Sequence, residues 1–283
     1  MPESGRWRFS AALSGAPIHI EHIEDNDFYN VVPYWHVQDL IVSELDATAV
    51  RGIRPGAAFA ITVPLRLVRD RIRYEDLARQ PYVPPYPDLH HRNETLFHVA
   101  DVLLAMPLAR PVSGWMLGVN PGVSIPIGRT EPDPFQLGAA GLPHQHIQFG
   151  TGTFDPSLGL SVSRNARGIL WSATGNLRLT LYQNSHEYQA GNRYGATIGV
   201  LRRLGEWNAN TALGFLNEQA ERWHGQVQSE GNLGRSDLAV MLGLGHAVAR
   251  TGVWTLNAQI PVITHVVGQQ VHIPVVFSLV WSR

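Results

Sequence analysis

Over residues 115–127 every second residue is apolar (Trp115, Leu117, Val119, Pro121, Val123, Ile125, Ile127), with Met116, Gly118, Asn120, Gly122, Ser124 and Pro126 between them. The alternation returns over 154–162, where Phe154, Pro156, Leu158, Leu160 and Val162 share one face and Asp155, Ser157, Gly159 and Ser161 the other. Alternation of this length predicts extended strands with one apolar and one polar face. In a soluble barrel the outer face would carry charge. Here the polar face is built of small, mostly uncharged residues, a poor solvated exterior, so the pattern predicts apolar side chains toward lipid and polar ones toward a wet lumen.

Segments of roughly nine or more residues, long enough for a tilted barrel strand to cross a bilayer, follow one another along the chain: 7–14 with an extension over 18–22, 34–49, 57–73, 94–108, 115–127, 154–162, 169–182, 194–203, 207–218, 238–248, 254–263 and 271–281. In the third, Phe59, Ile61, Val63, Leu65 and Leu67 on one face give way to Arg69, Arg71 and Arg73, as expected of a strand leaving hydrocarbon. Twelve is even, as a closed bacterial barrel with both termini on one side requires. Counting from a periplasmic amino terminus, short turns are expected at 50–56, 109–112, 165–168, 204–206 and 249–252. External loops are expected at 15–33, 74–93, 129–150, 183–193, 219–237 and 264–270. Nearly every loop is longer than nearly every turn, the asymmetry of outer-membrane barrels. Trp7, Trp35, Trp115, Trp171, Trp207, Trp254 and Trp281 fall near strand ends, where an interfacial girdle would place them. The fold expected is all-β: a single domain over 1–283, a closed antiparallel transmembrane β-barrel of about twelve strands in the bacterial outer membrane.

Composition narrows the field further. The 283 residues include no cysteine, carry a net charge of −1 and have a mean hydropathy of −0.08. No window of about 18 apolar residues occurs, which excludes a spanning helix; an alternating strand escapes that test. Absence of cysteine suits a chain that crosses an oxidising periplasm unfolded. Near-neutral charge without a basic stripe argues against nucleic acid. Residues 1–6 have no apolar core and do not form a signal peptide, so the outer-membrane reading takes a signal as already removed. Expected partners are the lipid bilayer of the outer membrane, a small-molecule or metal solute, and the barrel-assembly machinery for insertion.

Two motifs carry a family resemblance. Val123-Ser124-Ile125-Pro126-Ile127-Gly128-Arg129, followed after a loop by Gly150-Thr151-Gly152-Thr153-Phe154-Asp155-Pro156 and Leu158-Gly159-Leu160-Ser161, resembles the outer-membrane barrels grouped as transporters of the phenol-degradation meta-pathway type. The resemblance is specific over about residues 115–165 and architectural elsewhere. It implies a channel or facilitator for small, often hydrophobic compounds.

Candidate chemistry collects in the loops. Most of the thirteen histidines fall in predicted external loops or at external strand ends. His144 and His146, two apart, would share a face if the segment is extended and could chelate a divalent metal such as copper or zinc, with His90, His91 or a carboxylate completing the shell. Asp155, Asp101, Arg66, Arg178 and Glu218 are expected to point into the lumen, as structural ion pairs or as selectivity determinants. The run Tyr82-Val83-Pro84-Pro85-Tyr86-Pro87 predicts a stiff loop able to fold over the mouth. The leading reading is a channel whose passage is controlled by loop 129–150 and by inward side chains. A His-rich copper- or zinc-binding outer-membrane protein is the alternative. An outer-membrane hydrolase ranks lower: Ser185-His186-Glu187 supplies residue types, but neighbours on a strand face opposite ways, and no catalytic residue is assigned. A soluble β protein also stays open at this point.

Overall fold

A strand in hydrocarbon must pair along both edges, and a sheet achieves this only by closing on itself. The computed structural model, which describes residues 1–24, 32–84, 93–229, 231–248, 251–268 and 272–283, shows that closure. In chain order the elements are β1 (Trp7–Glu24), β2 (Tyr34–Arg54), β3 (Ala57–Glu75), β4 (Glu94–Val99), β5 (Val102–Ala105), β6 (Leu108–Val112), β7 (Trp115–Ile125), α1 (Pro134–Ala139), β8 (Asp155–Ala166), β9 (Ile169–Arg178), β10 (Tyr188–Gln189), β11 (Arg193–Leu204), β12 (Trp207–Gln219), β13 (Arg222–Trp223), β14 (Gly234–Val248), β15 (Gly252–Val266) and β16 (Val276–Ser282). Fourteen of the strands form one antiparallel sheet, and β1 pairs with both β2 and β16 to shut the ring. Since β4, β5 and β6 follow one another along a single stave, the wall has twelve staves. β10 and β13 pair with each other as a small ribbon in the external loops.

The faces are inverted relative to a soluble protein. Phe59, Leu117, Leu160, Trp171, Ile198, Leu213, Leu242, Leu256 and Leu279 are exposed on the outside, while their chain neighbours line the interior. The lining glycines leave less open space than their number suggests. A Cβ on Gly243 would lie 2.4 Å from Asn210 and 2.3 Å from Asn257, and one on Gly118 would lie 2.3 Å from the Ser161 hydroxyl. Their missing side chains make room for polar neighbours from adjoining strands.

Tight turns close one end. Ser113 and Gly114 have φ of 49° and 79°, and Arg167 and Gly168 have 54° and 76°, the double positive φ of two-residue turns that match strand twist. The turn expected at 109–112 lies at Ser113 and Gly114 instead, because Arg110 and Pro111 stay in β6, paired to Leu117 and Met116. The turn expected at 50–56 shrinks to Pro55 and Gly56, with strand pairing up to Arg54. Trp7, Trp115, Trp171, Trp207, Trp254 and Trp281 gather toward this end, with Arg51 over Trp7 at 5.7 Å and Arg164 over Trp115 at 5.3 Å; Trp35 alone of the seven sits at the opposite end.

The fourth stave departs from the expected continuous strand. It breaks at Ala100 and Asp101 and again at Met106 and Pro107, and β4 pairs with β3 only. The last strand is shorter than expected, although His272 still exchanges backbone hydrogen bonds with His19. Because Leu242 faces lipid midway along β14, Leu242→Arg is expected to destabilise the barrel by about 2–4 kcal/mol, measured by reversible unfolding in lipid vesicles, whereas Asn257→Asp on the lumen side should cost much less.

Candidate functional site

The longest connection, residues 126–154 between β7 and β8, does not stand up from the barrel. Both of its limbs are tied to the inner wall at the break in the fourth stave. Asp101, buried there, accepts hydrogen bonds from the Gly128 amide at 3.0 Å and the Thr151 amide at 2.7 Å. The limbs touch where this happens: a Cβ on Gly128 would lie 2.8 Å from Gly150 Cα, and one on Gly150 would lie 2.5 Å from Asp101 Oδ1. Only glycine allows backbones so near, which explains Gly128 of the first sequence motif and Gly150 of the second.

Beside this junction sits a second buried carboxylate. Asp155 has no exposed surface and accepts from Thr153 Oγ1 at 2.5 Å and from Arg178 Nη2 at 2.8 Å and Nε at 3.1 Å. Arg178 Nη2 also donates to Ser124 Oγ at 3.0 Å and lies 3.5 Å from Asp101 Oδ2. The Thr151 hydroxyl is 2.9 Å from an oxygen of each carboxylate and can donate to one at a time. One guanidinium therefore compensates two buried carboxylates, helped by amides and hydroxyls. A buried charge of this kind is costly to leave unpaired.

Above the clamp the loop is seated in an apolar patch of the lumen. Phe149 packs with Leu40 and Val68, flanked by Ile18, Ile20, Val42, Leu96 and Ile147. The wall residues are those on the lumen side of β1–β4, so an otherwise polar interior carries a hydrophobic strip, and the loop covers it. His98 packs edge-on against Phe149 at 4.7 Å. Arg66, paired to Glu44 at 2.6 Å, reaches the Gln148 carbonyl at 3.4 Å. A cleft of about 230 Å³ separates the loop from β4, lined by Leu96, Leu137, Pro143 and His144 among others.

At its outer end the loop meets its neighbours through one imidazole. Asp133 caps α1 by accepting from the Phe135 and Gln136 amides, and its second oxygen lies 2.7 Å from His224 Nε2 in the β12–β14 connection. His224 Nδ1 contacts Glu187 of the β9–β11 connection, and the Gln136 side chain lies 2.8 Å from Nε2. Both ring nitrogens thus face carboxylates, and only the imidazolium can donate to both. The hydrogen bond to Asp133 leads the causes that raise the His224 pKa above its ordinary value.

The structure brings together three of the five lumen charges expected from the sequence: Asp101, Asp155 and Arg178. Arg66 joins the same loop by another route. Glu218 stands apart, paired to Arg193 at 3.1 Å. Thr151, Thr153, Ser124 and Phe149 are not singled out by the sequence, although Ser124, Thr151 and Thr153 lie within the two recognised motifs. His144 and His146 do meet, ring centroids 5.2 Å apart, but His144 is buried and its Nδ1 donates to the Leu142 carbonyl at 2.9 Å. Among the described residues no group of three or more His, Asp or Glu side chains is placed to hold a metal, so nothing here supports the metal centre. His90, His91 and Pro85 to Pro87 lie outside the described residues. Glu187 of the Ser-His-Glu run serves His224 rather than His186.

A family model described as "Putative MetA-pathway of phenol degradation" matches residues 41–264, most of the chain. The chain belongs to this family. Among solved structures, this family member is similar to the COG4313 outer membrane channel from Pseudomonas putida F1, with 10% identity, a TM-score of 0.62 and coverage of 100% of this chain and 97% of that one. It is also similar to a mutant of the TodX monoaromatic hydrocarbon channel, with 8% identity, a TM-score of 0.51 and coverage of 100% and 91%. At these identities the likeness shows the fold. No curated protein matches the sequence. The apolar exterior and closed wall make the family member an outer-membrane barrel.

Two outcomes are expected. Asp155→Ala leaves Arg178 without its main partner and should destabilise the barrel by about 3–5 kcal/mol, read as a lower midpoint in denaturant, with Asp155→Asn losing less. The His224 bridge has a raised pKa, so its contribution is complete below the ordinary imidazole value of 6.5 and is lost as pH rises through the raised value. The protection of the α1 amides, taken relative to the intrinsic exchange rate at each pH, should fall across that range, and His224→Gln should remove this dependence.

Proposed function

We propose that this barrel is a gated outer-membrane channel for small hydrophobic solutes, with the 126–154 loop as its gate. The observation that carries the reading is the apolar strip inside the lumen, held shut by Phe149 and Ile147. A channel for hydrophilic solutes has no use for such a strip, whereas a single-ring hydrocarbon would gain by burying its surface there. The similarity in fold to a monoaromatic hydrocarbon channel supports the same solute class. The loop's limbs also stand where β4 lacks a second strand partner, so withdrawing the loop opens the wall as well as the lumen. The clamp at Asp101, Asp155 and Arg178 acts as the hinge base, fixing both limbs while the segment between them moves.

Phe149→Ala should weaken the seating of the loop by about 3 kcal/mol and raise single-channel conductance several-fold in planar bilayers. Cells carrying the wild-type barrel should accumulate a labelled monoaromatic hydrocarbon faster than cells lacking it. Equal uptake with and without the barrel, together with efficient passage of sugars into proteoliposomes, would overturn the hydrophobic-solute reading.

A further inference from the structure

The outer wall of β3 carries a feature that the channel reading does not use. Leu67, the last residue of its lipid-facing stripe, sits beside Phe97 across the strand pair, and both are exposed. Two residues further toward the loop end, about 7 Å along the strand, Arg69 takes the same face beside Thr95, and Arg71 follows. A groove of about 660 Å³ opens there, bordered by Asp39, Arg69, Arg71, Arg73, Asn93 and Thr95.

The charges around the groove do not cancel. Arg73 pairs with Asp39 and with Glu75 at 3.0 Å. Arg79 pairs with Glu21 at 2.9 Å and Glu75 at 3.3 Å, and His19 pairs with Asp39 at 2.7 Å. These groups satisfy one another. Arg69 and Arg71 are exposed, and among the described residues their side chains make no hydrogen bond or ion pair. Asp70 between them turns to the lumen side, where it accepts from Gln38 at 2.8 Å, and Glu94 accepts from Gln145 of the loop. Neither carboxylate neutralises the outer face.

We propose that Arg69 and Arg71 form a binding site on the outer wall for the phosphate groups of an acylated lipid of the outer leaflet. The position fits a lipid rather than a free anion, because the two guanidiniums lie just above Leu67 and Phe97, with Ile41 directly beside Arg69, an apolar row exposed on the same face. Acyl chains would cover that row while the phosphates meet the arginines, whose planar forks suit phosphate oxygens. The site is independent of what crosses the lumen.

The test uses the purified barrel in detergent micelles with bis-phosphorylated lipid A, its dephosphorylated analogue or inorganic phosphate alone, scored by native mass spectrometry for retained adducts and by thermal unfolding. Bis-phosphorylated lipid A should bind and raise the unfolding temperature. The dephosphorylated lipid should bind at least tenfold more weakly, and inorganic phosphate should not register at matching concentration. Arg69→Gln with Arg71→Gln should reduce lipid binding at least tenfold, while Arg51→Gln at the opposite rim should not. Equal binding of phosphorylated and dephosphorylated lipid to the wild-type barrel would overturn the proposal without recourse to any variant. So would undiminished binding by the folded double variant, and inorganic phosphate binding as tightly as the lipid would overturn the assignment to a lipid.

Discussion

The constraint on which this structure depends is that hydrocarbon offers the backbone no hydrogen-bond partner. Every strand crossing the lipid must therefore pair along both edges, and twelve staves satisfy this by closing β1 against β16. The requirement fixes the side-chain pattern, since a wall one strand thick has lipid on one face and the lumen on the other. It also explains the one irregular stave. β4 can lack a second strand partner because it lies toward the loop end, where the limbs of the 126–154 loop stand beside it.

On the proposed reading, that loop turns a pipe into a device with a state. Three kinds of interaction hold it, and they have different properties. The clamp of Asp101, Asp155, Thr151 and Arg178 is buried, directional and stiff, and the glycine contact between Gly128 and Gly150 leaves it little slack. The apolar seat of Phe149 is non-directional, and a hydrophobic ligand could replace it. The bridge at His224 is exposed and adjustable by pH. A rigid base, an exchangeable seat and a tunable outer tie are the parts from which a gate can be made, and they lie along one continuous segment of chain.

The exterior is equally layered. Tryptophans collect toward the turn end, an apolar band follows, and at the loop end the outer face of β3 changes from Leu67 to Arg69 and Arg71 within two residues. The same alternation that puts Leu67 in lipid puts those arginines at the height of headgroups, so one strand reports the membrane boundary on its own.

The sequence by itself determined the architecture: strand number, the inversion of faces, the asymmetry between turns and loops, and the family through its two motifs. These are legible because alternation is local, and lipid on one side makes it strict. The tryptophan positions were legible for the same reason, and the same alternation pointed to Asp101, Asp155, Arg66, Arg178 and Glu218 as candidate lumen charges. Only the tertiary structure decided which of those charges meet. Asp101, Asp155 and Arg178 come from three staves, and their encounter depends on a break in the fourth stave that the alternating pattern conceals. The turn at Ser113 and Gly114 was misplaced because Arg110 and Pro111 look like loop residues, yet cross-strand pairing keeps them in β6. The inward fold of the loop was illegible too. Phe149 is one apolar residue in a non-periodic stretch, and its burial follows from a lumen-side strip assembled by four strands distant in sequence.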